Sequence, residues 1–66
     1  MTETFHVRVT VKTKDGKSHS YVKDNVYYKD RKQAVSAGED AFQNTLDVVM
    51  VEVFQAGVAN PIALFH

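Results

Sequence analysis

The sequence contains no cysteine and no tryptophan, and its 66 residues include one proline and three glycines. The absence of cysteine excludes disulfides, zinc–thiolate sites, iron–sulfur clusters and thiol catalysis. No apolar run approaches the roughly 20 residues that span a bilayer. The first residues, MTETFHVRV, lack the basic and then apolar layout of a signal peptide. We therefore expect a cytoplasmic protein that begins at its own Met1 and folds as a single small domain over residues 1–66.

Basic residues are missing from the second half of the chain. Residues 1–32 hold all eight Lys and Arg and four acidic residues, a net charge of +4, whereas residues 33–66 hold four acidic residues and carry −4. This asymmetry favours one basic surface, which could contact nucleic acid, an acidic partner or a second copy of the chain. An uneven division of ordinary solvating charges between a hairpin and a helix accounts for it equally well.

The beginning of the chain is typical of a β-hairpin. Strict alternation in FHVRVTV, residues 5–11, predicts a strand with one buried face. Asp15-Gly16 follows between two extended runs and indicates a tight turn, because glycine adopts positive φ without a Cβ clash. The second strand is then expected over Lys17–Lys23.

Two registers of this hairpin are compatible with the sequence. A glycine bulge in the turn places Tyr21 opposite Val9, whereas a plain two-residue turn places Val22 there. We favour the bulged register, because Tyr21 is the largest apolar side chain available to cover Val9.

The period changes to that of a helix after Asp30, a favourable N-cap with Gln33 in capping-box spacing. We predict a helix over Arg31–Leu46. Its apolar face comprises Ala34, Val35, Gly38, Ala41, Phe42, Thr45 and Leu46. The small residues at the centre of that face predict close approach to a sheet, which explains a mid-helix Gly38 that otherwise costs about 1 kcal/mol relative to Ala.

The next strand, DVVMVEVF at residues 47–54, is apolar on both faces. We expect Val49, Val51 and Val53 to face the helix. The opposite face carries Val48, Met50 and Phe54, with Glu52 as the single polar exception. Such a strand belongs in the middle of a sheet, or its second face is covered.

The predicted class is therefore α+β, with one helix packed on one face of an antiparallel sheet of three to four strands. The order is ββαβ, or ββαββ if the apolar tail NPIALFH adds a strand. The tail either completes the monomer's own sheet or joins the open face of strand three in a dimer or partner interface. The residues of that predicted interface are Val48, Met50, Phe54, Ile62, Leu64 and Phe65.

The sequence offers no catalytic or metal-binding pattern. The three histidines lack the spacing of metal ligands, and Ser18 and His19 cannot converge on a strand because neighbouring side chains point to opposite faces. No phosphate-binding glycine loop is present. We predict a protein that is not an enzyme, with no metal and no cofactor, and whose partner is another protein or a second copy of itself.

Weak nucleic-acid binding is the alternative. Basic residues interleaved with tyrosines on a small sheet suit phosphate contacts and base stacking. The residues concerned are Arg8, Lys12, Lys14, Lys17, Lys23, Tyr27 and Tyr28. The sequence pI of about 6.8 lies well below the values typical of nucleic-acid-binding domains, so any such affinity is expected to be weak.

The layout as a whole resembles a group of small strand-strand-helix-strand proteins. The stretches that carry the resemblance are FHVRVTV, the KDGK turn, RKQAVSAGEDAF and the closing VVMVEVF, together residues 5–54. Phage-encoded inhibitors of host RNA polymerase and some anti-CRISPR proteins share this layout. The resemblance implies a stand-alone domain that binds and blocks a larger host protein, and it assigns no functional residues.

Overall fold

Four strands and one α-helix make up the fold of the computed structural model, which describes residues 3–66. The elements are β1 (Phe5–Lys12), β2 (Ser18–Val22), a 3₁₀ turn (Lys23–Asn25), α1 (Arg31–Asn44), β3 (Val48–Gln55) and β4 (Ala63–Phe65). The strands form one antiparallel sheet in the order β2-β1-β3-β4. The predicted α+β class is confirmed, and the tail supplies the fourth strand of the ββαββ form.

The hairpin adopts the bulged register. Tyr21 pairs with Val9 and His19 pairs with Val11. Gly16 has a φ of 85°, and its N–H donates to the Thr13 carbonyl at 3.0 Å. A three-residue loop that ends in a left-handed glycine matches the right-handed twist of the strands it joins.

The core lies between α1 and the face of the sheet that it covers. The helix packs across β1, β3 and β4. The buried apolar residues are Phe5, Val7, Val9, Ala34, Ala41, Val51 and Val53. The predicted close approach is confirmed at Gly38, where a Cβ would lie 2.8 Å from Cγ2 of Val53.

The N-terminal boundary of the predicted helix is right, and its C-terminal boundary is wrong. The Asp30 side chain caps α1 by accepting from the Lys32 N–H at 3.2 Å. The helix ends at Asn44, and Leu46, predicted on the buried face, is 86% exposed. Asp47 adopts a φ of 58°, which turns the chain into β3 and places Leu46 outside the helical periodicity.

The pairing of β1 with β3 contains an irregularity that the sequence pattern does not show. Thr10 pairs with Met50 but Val11 pairs with Val48, so Val49 is an extra residue in β3. Val48 consequently packs against the core and Val49 is 47% exposed. The predicted facing of these two valines is therefore wrong, because the bulge shifts the alternation by one residue.

The tail forms an edge strand of the monomer's own sheet. The Ile62 N–H donates to the Val53 carbonyl at 2.8 Å, and residues 63–65 continue the pairing with β3. Phe65 lies on the helix side, with its ring centre 6.2 Å from that of Phe42. Leu64 pairs with Glu52 and is 48% exposed. The alternation of a strand thus divides the apolar tail between the core and the opposite face of the sheet.

Candidate functional site

The face of the sheet opposite α1, here called the open face, is covered by no other element among residues 3–66. Cross-strand pairing defines its members, because His6 pairs with Phe54, Arg8 with Glu52, and Glu52 with Leu64. The open face comprises His6, Arg8, Thr10, Lys12, Ser18, Ser20, Val22, Met50, Glu52, Phe54 and Leu64. It is therefore the face of the sheet that the described residues leave without a second layer.

Three rings form a continuous strip, here called the aromatic strip, along one end of the open face. The His6 and Phe54 rings are stacked with centres 5.3 Å apart. The Tyr27 ring meets His6 edge-on at 5.8 Å and is 63% exposed. Offset stacking and edge-on contacts are the favoured arrangements of aromatic pairs, so these neighbours hold the tyrosine in place at the surface.

An ion pair occupies the middle of the open face. Nε and Nη2 of Arg8 both donate to Oε1 of Glu52, at 2.9 and 2.5 Å. The guanidinium carbon lies 4.9 Å from the centre of the Phe54 ring, within the range of a cation–π contact. Glu52 is only 7% exposed. The two charges neutralise each other, so the centre of the face carries no net charge towards a partner.

The predicted interface residues are divided between the two sides of the sheet. Met50, Phe54 and Leu64 lie on the open face. Val48, Ile62 and Phe65 are partly buried against the chain's own core. The structure therefore brings three of the six together on one free surface.

The basic and aromatic residues predicted for nucleic-acid binding do not form one surface. Arg8 is paired with Glu52, and Nζ of Lys23 is 3.1 Å from Oδ2 of Asp24. Tyr28 packs against the core and its backbone pairs with Phe5. Tyr27 belongs to the aromatic strip. The remaining members are Lys12, Lys14 and Lys17, all exposed at the free end of the hairpin.

The second strand of the hairpin also carries two exposed rings. His19 and Tyr21 lie on the same side of β2, with ring centres 5.9 Å apart and planes inclined by 27°. Tyr21 is 40% exposed, although it pairs with Val9 as predicted. Side-chain packing from α1 falls on β1, β3 and β4, so this pair remains accessible.

Asp15 fixes the turn between these strands. Its carboxylate accepts hydrogen bonds from the Thr13 hydroxyl and from the Lys17 N–H, the latter at 3.3 Å. The bond from Thr13, followed by that from the Lys17 backbone, lowers the pKa of Asp15. The carboxylate is thus held ionised between two lysines, which reduces the positive charge of the hairpin tip.

Most members of the open face, His6 and Glu52 among them, were not among the predicted interface residues. Alternation places His6 opposite the valine face of β1, and Glu52 is the lone polar residue on its side of β3. The stacking of His6 on Phe54 and the pairing of Arg8 with Glu52 require the register of β1 against β3. That register joins residues 44 positions apart, so a local pattern could not reveal it.

The part of the chain that the structure describes has no group of three or more His, Asp or Glu side chains positioned to hold a metal ion. Within residues 3–66, no helix combines the length and apolar character needed to cross a membrane. Comparisons of the chain with models of protein families, with curated proteins and with solved structures found no match.

Proposed function

We propose that the chain is a non-enzymatic protein-interaction module that binds a larger protein through its open face. The observation that carries this proposal is the aromatic strip beside a self-neutralised ion pair and an exposed leucine. A surface with aromatic anchors and little unpaired charge at its centre has the composition of the core of a protein interface.

Two exposed side chains are the expected anchors. Tyr27 is 63% exposed but rests on His6, and Leu64 is 48% exposed beside Glu52. Tyrosine is enriched among the residues that dominate binding energy, because a rigid ring buries a large area at small entropic cost. Phe54 lies between these anchors, and Met50, two residues along β3 from Glu52, extends the apolar contact area on the other side of the ion pair.

Inhibition by occlusion is the functional consequence that we propose for such binding. The chain resembles phage-encoded inhibitors in layout. Inhibition by covering a surface needs no catalytic group. A small rigid sheet seated on a larger protein blocks the surface it covers. The proposal names a protein partner with an apolar patch and requires no charge complementarity at its centre.

Two pairs of matched substitutions test the proposal. Tyr27→Ala and Leu64→Ala truncate the anchors, whereas Tyr21→Ala and Leu46→Ala truncate the same residue types on exposed surfaces away from the open face. Each immobilised variant is exposed to the same cell extract, and retained proteins are quantified by mass spectrometry. We expect a protein that is retained by the wild type and both controls and is lost from both anchor variants.

Binding of the purified partner then gives the magnitude. Anchor residues cost about 2 kcal/mol or more on truncation to alanine, which corresponds to a loss of affinity of about thirtyfold. Equal retention by all four variants would contradict the proposal. So would losses confined to Tyr21→Ala or Leu46→Ala, because those side chains lie off the open face.

The hairpin tip supports a second candidate, binding of single-stranded nucleic acid. The specific observation is the exposed stack of His19 and Tyr21 on β2, in the same hairpin as the exposed residues Lys12, Lys14 and Lys17. Aromatic stacking with a base contributes about 1–3 kcal/mol, and lysines contact phosphates. The neighbouring carboxylate of Asp15 accounts for the expected weakness of binding.

Fluorescence anisotropy with a short labelled single-stranded oligonucleotide at low salt tests this candidate. Tyr21→Ala should weaken binding by about fivefold or more, and Tyr27→Ala, an exposed tyrosine elsewhere, should leave it unchanged. Three phosphate contacts predict a slope of about −2 for log affinity against log salt. No anisotropy change at low salt would remove nucleic acid as a partner.

A further inference from the structure

The exposed side of α1 carries its charges in an unusual order. Arg31 and Lys32 lie in the first turn, where no acidic residue is present, and Glu39 and Asp40 lie further along, with no basic residue in the last turn. A helix favours acidic residues at its N-terminus and basic residues at its C-terminus. Within the monomer, Arg31 and Lys32 therefore oppose the helix dipole, although the Asp30 carboxylate at the N-cap favours it.

Three exposed residues of α1 form one line along the helix. Lys32, Ser36 and Asp40 are spaced by four residues, so their side chains lie one above the other, with Ser36 halfway between the opposite charges. The line borders an open groove of ≈ 630 Å³ that separates α1 from the segment 23–28, with Tyr28 and Ala37 as its apolar lining. The surface thus has a basic end, a small residue at its centre and an acidic end.

Such a surface is complementary to itself. A two-fold axis through Ser36 would set a second α1 antiparallel to the first, with Lys32 of each copy opposite Asp40 of the other. A contact of this kind is isologous, because the same patch serves on both copies. The small Ser36 at the crossing point permits the close approach of two helices.

The contacts within one chain leave these groups available. Lys32 Nζ has no ion-pair partner among the described residues. Asp40 accepts from the Asn44 side chain through Oδ1 at 2.9 Å, and Oδ2 has no partner within residues 3–66. The hydrogen bond to Asp24 is the main cause that raises the pKa of Lys23, and burial opposes it; the charge of Asp40, which lines the same groove, adds a smaller raising effect.

We propose that the chain forms a homodimer through this line on α1, with two Lys32–Asp40 pairs between the copies. The contact lies on α1, which covers the other face of the sheet from the open face. It therefore goes beyond the proposed function and leaves both open faces free, so that one dimer presents two binding faces. In this antiparallel arrangement the dipoles of the two α1 helices also point in opposite directions.

Charge reversal tests the pairing directly. The solution mass of the full chain is measured by light scattering over a range of concentrations at low salt. We expect the wild type to dimerise, and Lys32→Glu and Asp40→Lys each to weaken the dimer by about tenfold or more, because each substitution changes two symmetry-related pairs. The double variant Lys32→Glu/Asp40→Lys restores both pairs and should dimerise within about threefold of the wild type.

Mixing the two single variants provides a second arm. One then has acid at both ends of the line and the other has base at both ends, so the equimolar mixture should form a heterodimer. Lys14→Glu and Glu3→Lys produce the same net charges at exposed positions off the helix, and their mixture should not associate. Circular dichroism of each variant confirms that the helix is retained.

A wild type that stays monomeric throughout the concentration range would overturn the inference. A double variant no better than either single variant would do the same. Heterodimers of equal strength in the control mixture would show attraction between net charges instead of pairing along α1. None of these results depends on a partner for the open face, so failure here and failure of the proposed function are distinguishable.

Discussion

Gly38 sets the distance between α1 and the sheet. A Cβ at this position would lie 2.8 Å from Val53 Cγ2 and 3.2 Å from Phe65 Cε2. Valine is restricted in its χ1 rotation, and Val53 is fully buried, so its methyl group cannot move away easily. The glycine is therefore required by packing even though it disfavours the helix.

We predict that Gly38→Ala destabilises the protein by up to about 2 kcal/mol. Overpacking a core costs about 1–3 kcal/mol, and the gain in helix propensity of about 1 kcal/mol offsets only part of that cost. Urea unfolding monitored by circular dichroism measures the change. Ser36→Ala, at an exposed position of the same helix, should be neutral or slightly stabilising, and a stabilised Gly38→Ala would show that the helix and sheet are not in close contact.

At the level of secondary-structure elements, the side chains of the apolar tail serve two purposes, because the alternation of β4 places them on both faces of the sheet. Phe65 packs beside Phe42 and close to Gly38, and Ile62 also contacts the core. Leu64 points to the open face. One strand thus completes the core and contributes to the proposed binding surface.

We predict opposite outcomes for neighbouring residues of this strand. Phe65→Ala should destabilise the fold by about 2 kcal/mol. Removing a partly buried ring should cost roughly half or more of what a Phe→Ala change costs in a fully buried core. Leu64→Ala should alter stability by less than about 0.5 kcal/mol. Denaturant midpoints measure both changes, and equal effects would contradict the placement of the two side chains on opposite faces.

Deletion of residues 61–66 extends this prediction to the whole element. Because the tail completes the monomer's sheet, the truncated chain should be unfolded or strongly destabilised: β3 loses its edge partner and the core loses Phe65 and Ile62. Size-exclusion chromatography and circular dichroism distinguish that result from a folded chain that has only lost self-association. The latter outcome would favour the tail as an interface.

The charges of α1 make a further prediction at the same scale. Lys32→Glu places an acidic residue in the first turn of the helix, where it is favoured by about 0.3–1 kcal/mol at low ionic strength. We therefore expect a more stable monomer that has lost the proposed dimer. Thermal unfolding of dilute protein, compared with Lys14→Glu, measures the stability independently of association.

Local patterns predicted most of the elements. The alternation of β1, the Asp15-Gly16 turn and the Asp30 cap act within a few residues, so the sequence alone indicated them correctly. The bulge at Val49 and the exposure of Leu46 were missed, because they depend on how β3 enters the sheet after the left-handed Asp47. The pairing of β3 in the sheet therefore determines the exposure of Val49 and Leu46, and it overrides the local hydrophobic periodicity.

For the molecule as a whole, the charge asymmetry of the sequence does not become one basic surface. Arg8 pairs across the sheet with Glu52, and Lys23 pairs with its neighbour Asp24. The number of charged residues can be counted from the sequence, but their distribution over the surface cannot be predicted from it, because that distribution depends on contacts between distant segments. The same limit applies to the open face, whose aromatic strip joins β1, β3 and the segment before α1.

The strand order β2-β1-β3-β4 also determines how the chain can assemble. Each outer strand is joined to its inner neighbour by a short connection, residues 13–17 on one side and residues 56–62 on the other. The central β1–β3 pairing joins positions as far apart as Arg8 and Glu52. Local hairpins close within about 1–10 μs, whereas a pairing across such a loop is entropically slower. We therefore expect the two outer connections to form early and the meeting of β1 with β3 under α1 to limit the rate of folding. Substitutions at Val7 or Val53 should then slow refolding more than substitutions in the turn.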